Sequence, residues 1–127
     1  MNKFDALYES KKEEIINENI NLTPAKFGSK KTLKLDISEN VFNSLKGVKE
    51  TNSNKNYTFY KYPTTYSAGG NKWSINIVKW DFKDTYDVFA QSGDYTVGRA
   101  PSYFRKSLIK GPTIAREIFQ QFIDEIM

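Results

Sequence analysis

Apolar and polar residues alternate strictly from Thr32 to Ile37, with Leu33, Leu35 and Ile37 on one side and Thr32, Lys34 and Asp36 on the other, which predicts a half-buried strand. Upstream the spacing changes. Phe4, Leu7, Tyr8, Lys11, Ile15 and Ile16 fall near one face of a helix over residues 3–18, with Glu9, Lys12, Glu13 and Glu14 facing solvent. Pro24, Gly28 and the lysines Lys26, Lys30 and Lys31 give residues 21–31 the composition of a connecting loop, whose cations are placed either to meet phosphates or simply to be solvated.

Ser38 suits a helix N-cap, and Val41, Phe42, Leu45 and Val48 follow at helical spacing, with Gly47 placed to end a short helix. Glu50 to Asn56 is polar and asparagine-rich, the composition of a loop or hairpin tip. Residues 57–104 hold 13 of the 19 aromatic residues in runs separated by turn signals, which predicts an antiparallel sheet. Its strands are expected at Tyr57–Tyr62, Trp73–Phe82, Thr85–Gln91 and Tyr95–Arg99, with turns at Ala68–Asn71 and Ser92–Asp94. Ile114, Ala115, Ile118, Phe119, Phe122, Ile123 and Ile126 form an apolar stripe at 3.6-residue spacing behind Gly111 and Pro112, a C-terminal helix made to cover a sheet or to meet a twin. The fold class expected is therefore α+β, a twisted antiparallel β-sheet with a C-terminal α-helix and an N-terminal helical extension. It forms one domain over 1–127, with 1–31 as extension and loop and 32–127 as the core.

Composition narrows the chemistry. The chain of 127 residues is the size of one domain, and its 19 aromatics supply the apolar area for a core despite a low mean hydropathy. It has neither cysteine nor histidine, so disulfides, thiolate catalysis, the serine triad and thiolate or imidazole metal sites are excluded together. An enzyme would have to work with carboxylates, lysine or tyrosine, and no cofactor is implied. No apolar run is long enough to span a membrane and Met1 to Ser10 carries no signal-peptide core, so a cytoplasmic location is expected. The net charge of +4 favours polyanionic partners mildly. Lysine outnumbers arginine 16 to 3, a usage suggesting an AT-rich genome such as that of a low-GC bacterium, a phage or another mobile element.

On the expected strands Trp73, Ile75 and Ile77 share one side, while Trp80 and Phe89 fall on faces that mix polar and apolar residues. A ring on such a face stacks on unpaired bases, and neighbouring cations meet the backbone. Trp80 and Phe89 are accordingly the expected stacking residues, with Tyr60 and Tyr62 secondary to them. Lys61, Lys79, Arg99, Arg105 and Lys106 are the expected phosphate contacts. The plainer alternative is that the rings are cross-strand packing pairs and the cations keep the surface soluble.

The order of these features resembles that of the positive cofactor four-like single-stranded-DNA-binding proteins. The resemblance is carried by Trp73 to Trp80, Asp81 to Lys83, Tyr86 to Val88, and Lys110 to Ile114 leading into a helix with Glu117. It spans roughly residues 57–127. It implies a curved antiparallel sheet followed by a helix, a homodimer, and grooves that hold single strands without catalysis. Two other functions fit the composition: a small inhibitor, immunity or anti-defence protein that blocks a larger enzyme through an aromatic patch, and a nuclease assembled from Asp36, Asp81 and Lys83. The expectation taken forward is a non-enzymatic protein that binds single-stranded nucleic acid.

Overall fold

The alternating run at Thr32–Ile37 is the middle of a longer strand, and the residues before it are strands too. The computed structural model describes residues 14–101 and 108–127, with side chains from Glu18 onward in the first segment. The chain forms β1 (Glu14–Asn17), β2 (Ile20–Phe27), β3 (Lys30–Ile37), α1 (Glu39–Ser44), β4 (Lys49–Ser53), β5 (Tyr57–Ala68), β6 (Asn71–Trp80), β7 (Tyr86–Ser92), β8 (Tyr95–Gly98), β9 (Leu108–Ile109) and α2 (Pro112–Ile126). The path β1-β2-β3-β7-β6-β5-β4 is antiparallel throughout, and β8 joins β7 antiparallel and β9 in parallel.

This corrects the expected fold class. The protein is mainly antiparallel β-sheet with one C-terminal helix, and no helical extension precedes the sheet among the described residues. Ile15 and Ile16, adjacent in sequence, satisfy a helical stripe and a strand equally. What decides is the next segment, where Ile20 and Leu22 lie opposite Ile37 and Leu35 and all four are buried at two-residue spacing. Residues 21–31 are likewise a hairpin rather than a loop. Gly28 makes its turn at a φ of 66°, and among the described residues Pro24 lies beyond the last pair with β1, Glu14↔Leu22. The remaining residues assigned to the N-terminal helix, 3–13, lie outside the described part.

Ser38 caps α1 as its hydroxyl accepts from the Val41 N–H at 3.2 Å, though the helix ends at Ser44, before Gly47. The polar stretch at Glu50 joins β4, an exposed strand on one edge of the sheet. β5 runs on through Pro63 by means of a register shift between Lys61 and Thr65.

The stripe of α2 lies across β3, β5 and β8, and Ile118, Phe119 and Phe122 are fully buried in one cluster with Leu33, Leu35, Tyr62, Ile77 and Val97. Each such side chain contributes about 1.5–3 kcal/mol of burial. The stripe is thus covered by the chain's own sheet, not by a twin. β7 is the centre of the fold, with β6 along one edge and two strands along the other. β3 pairs with Tyr86–Val88, and β8 pairs with Phe89–Ser92. Gly98 sits at that division with a φ of 90°, and a Cβ there would come within 2.8 Å of the Val88 carbonyl oxygen and 3.0 Å of Phe119.

Candidate nucleic-acid interface

Strand register sorts the expected binding residues onto two faces. Along β5, Tyr60 and Tyr62 point to the side covered by α2, whereas Tyr57, Phe59 and Lys61 point to the opposite side, in line with Trp80, Val78 and Asn76 of β6. The four expected stacking rings therefore cannot form one platform.

Two of them are core. Phe89 is fully buried in a second cluster with Phe59, Val78 and Ala100, and Tyr62 is 7% exposed, edge-on to Phe122 at 5.2 Å. Neither can stack on a base. Tyr60 is half-buried against Phe42 and beside Tyr86. Trp80 keeps part of its ring at the surface, but its indole N–H is committed to Asp87 Oδ2 at 2.9 Å.

The expected phosphate contacts divide as well. Lys79 donates to the backbone carbonyls of Trp80 and Lys83, so its charge closes the turn beside it. Lys61 is exposed and Arg99 half-buried, while Arg105 and Lys106 lie outside the described residues.

At the end of β6 the surviving rings form a corner. Tyr57 meets Trp80 edge-on at 5.2 Å, and Trp80 leans on Phe82 at 5.8 Å. Phe82 is 79% exposed, and the flanking Asp81 and Asp84 are exposed with it. Behind the corner lies a pair of carboxylates that register alone brings together, since Asp36 of β3 sits directly opposite Asp87 of β7. Lys83 Nζ bridges them, 2.7 Å from Asp87 Oδ1 and 3.8 Å from Asp36 Oδ1. Burial, then the neighbouring Asp87, pushes the Asp36 carboxyl up to about 7 against the pull of Lys83 and Lys34, because a second buried negative charge beside Asp87 is unfavourable.

The nuclease triplet Asp36, Asp81 and Lys83 is thus assembled in part, with Asp87 as the second carboxylate and Asp81 in the exposed turn. Among the described residues no three side chains of the carboxylate, imidazole or thiol kind converge to hold a metal ion. The pair's partners, an indole N–H and an ammonium, make it a cross-strand latch that fixes the corner.

The lysines Lys26, Lys30 and Lys31, expected on a loop where they either meet phosphates or are solvated, lie instead on a hairpin at the opposite end of the sheet. There β2 and β3 place Lys26 opposite Lys31, Phe27 opposite Lys30 and Thr23 opposite Lys34, so the two arms of the hairpin together carry four lysines, Lys30 and Lys34 on the face of the half-buried Phe27 and Lys26 and Lys31 on the other. Lys26 and Lys30 are exposed and form no ion pair with a described residue. Like charges held directly opposite destabilise a hairpin on their own. Beside this ribbon Lys110 holds its ammonium 4.2 Å from the centre of the Tyr95 ring, and Lys26, Phe27, Gly28 and Ile109 line an open pocket. The signal available in sequence was the spacing of Lys26, Lys30 and Lys31 about Gly28, which marks a hairpin tip once its flanks are recognised as strands.

Among the described residues no helix is long and apolar enough to cross a membrane. Comparison with protein-family models, with curated proteins and with solved structures found no match to this chain.

Proposed function

We propose that the protein is a non-enzymatic binding domain for single-stranded nucleic acid, and that its contact surface is the β2–β3 lysine ribbon rather than the expected aromatic sheet face. The observation that carries this is the register of the ribbon, which sets Phe27 with Lys30 and Lys34 on one face and Lys26 with Lys31 on the other, with Lys26 and Lys30 exposed at the hairpin tip. Cations spaced along an extended ribbon follow a phosphate backbone, and a ring among them offers an unpaired base a stacking surface. The resemblance to positive cofactor four-like proteins adds to the single-strand preference, and a homodimer belongs to the same proposal.

The test is fluorescence anisotropy with labelled single-stranded and duplex oligonucleotides at two salt concentrations. Tighter binding of the single strand, weakening as salt rises, is expected. Absence of binding at low salt would overturn the reading, and a preference for duplex would move it to groove insertion by the ribbon. One observation favours a protein partner instead: Phe82 stands exposed between two exposed aspartates, a poor surface for phosphates and a good anchor for a pocket with a basic rim.

A further inference from the structure

Phe82 is presented, not merely left outside. Its turn is fastened from several sides: the Lys83 N–H donates to the Trp80 carbonyl at 3.2 Å and the Asp81 N–H to the Asn56 carbonyl at 3.0 Å, and the Lys79 ammonium bonds the carbonyls of Trp80 and Lys83. Lys83 is in turn anchored on buried Asp87. Both lysines near the ring are therefore engaged internally, while Asp81 and Asp84 beside it are exposed. The result is a rigid apolar knob with an acidic flank, and ordering it before contact removes an entropic penalty from binding.

The complementary surface is on the same molecule. The pocket of Lys26, Phe27, Gly28 and Ile109 has apolar walls and a basic rim, extended by Lys30. Knob and pocket cannot meet within one chain. The knob follows β6 at the end of the sheet where Ile37 pairs with Tyr86, and the pocket lies at the Lys30 end of β3. Eight residues of strand at about 3.3 Å each hold the two ends roughly 25 Å apart.

We infer that a second copy of this chain supplies the occupant, with Phe82 of one molecule seated in the Lys26–Ile109 pocket of the next and Asp81 and Asp84 against its lysine rim. Such a contact joins different surfaces of the two partners, so it is head-to-tail and leaves a free knob and a free pocket at the ends of every assembly. A contact built on one ring is small and weak, and its charge component is screened by salt. It uses the same hairpin tip as the proposed nucleic-acid contact, so the two occupants compete there, and protein alone suffices to test it.

Sedimentation velocity over a concentration series, at low and high salt, reads the association directly. The variants are Phe82→Ala, which breaks the knob, and Lys26→Glu with Lys30→Glu, which breaks the pocket rim. All three side chains are exposed, and unchanged circular dichroism confirms folding. Wild type is expected to sediment faster with concentration and to revert in high salt, and each variant alone to stay monomeric. An equimolar mixture of the two variants retains one intact knob and one intact pocket, so it is expected to form a dimer and nothing larger. A wild type that stays monomeric at every concentration would overturn the inference. So would Phe82→Ala associating like wild type, or a mixture that remains monomeric.

Discussion

The two ends of the sheet use charge in opposite ways. At the Trp80 corner the cations Lys79 and Lys83 are bound to the protein's own oxygens and a ring is left outside. At the β2–β3 ribbon, Lys26 and Lys30 point to solvent and the ring between them is half-buried. A count of lysines treats the two ends alike, whereas their contacts differ: Lys79 and Lys83 are bonded within the fold, and Lys26 and Lys30 are exposed. Changes to the buried and bonded residues of the corner should therefore reduce stability, and changes at the ribbon should reduce binding.

The largest effect is expected beneath the corner. Phe89→Ala leaves a cavity between Phe59, Val78 and Ala100 and should destabilise the protein by about 4 kcal/mol, read as a lower urea midpoint. A midpoint unchanged from wild type would return Phe89 to the surface as a stacking ring on the Trp80 side of the sheet. Asp87→Ala comes next. It strands the ammonium of Lys83 and the Trp80 indole N–H, and should lower stability by about 3 kcal/mol, as expected for removing one partner of a buried ion pair.

Asp36→Asn sharpens the comparison through pH. In the folded state the Asp36 carboxyl is raised to about 7 from an ordinary value of 3.8, so the native protein holds that proton more tightly than the unfolded chain. Its contribution is fully present below the unfolded value and is lost as pH rises through about 7. Chemical denaturation across that range should show wild type losing stability with rising pH and the asparagine variant losing less. The groups facing Asp36 in this balance are Asp87, Lys83 and Lys34, and parallel pH profiles for the two proteins would contradict the paired-carboxylate account. Smallest of all, Phe82→Ala and Lys26→Gln should each change the unfolding free energy measured in urea by less than about 0.5 kcal/mol, because both side chains are exposed.

Much of the sheet is visible in the sequence where one face is buried and the other is not. Trp73, Ile75 and Ile77 are core as their alternation predicts, and the α2 stripe is buried as its period predicts. Alternation fails at β7, where Tyr86, Asp87, Val88, Phe89 and Ala90 are all buried because this central strand is covered on both faces. That is why Phe89 was misplaced at the surface. Lysine content disguised β2 and the start of β3 as a loop, although Ile20 and Leu22 already carried the strand period. The Asp36–Asp87 pair is invisible to any local reading, since it exists only through the pairing of β3 with β7. Phe82 was expected to end the strand Trp73–Phe82, but its exposure follows from a turn whose bonds come from Lys79 and Asn56.

The most direct measurement is the salt dependence of single-strand affinity for wild type, for Lys26→Gln combined with Lys30→Gln, and for Phe82→Ala, at protein concentrations below any self-association. Each phosphate contact contributes about 0.7 to the slope of log affinity against log salt for a single strand, so losing two should flatten it by about 1.4. The ribbon account predicts that flattening in the lysine variant and a wild-type slope in Phe82→Ala. A wild-type slope in the lysine variant would show that nucleic acid, if bound at all, is held elsewhere.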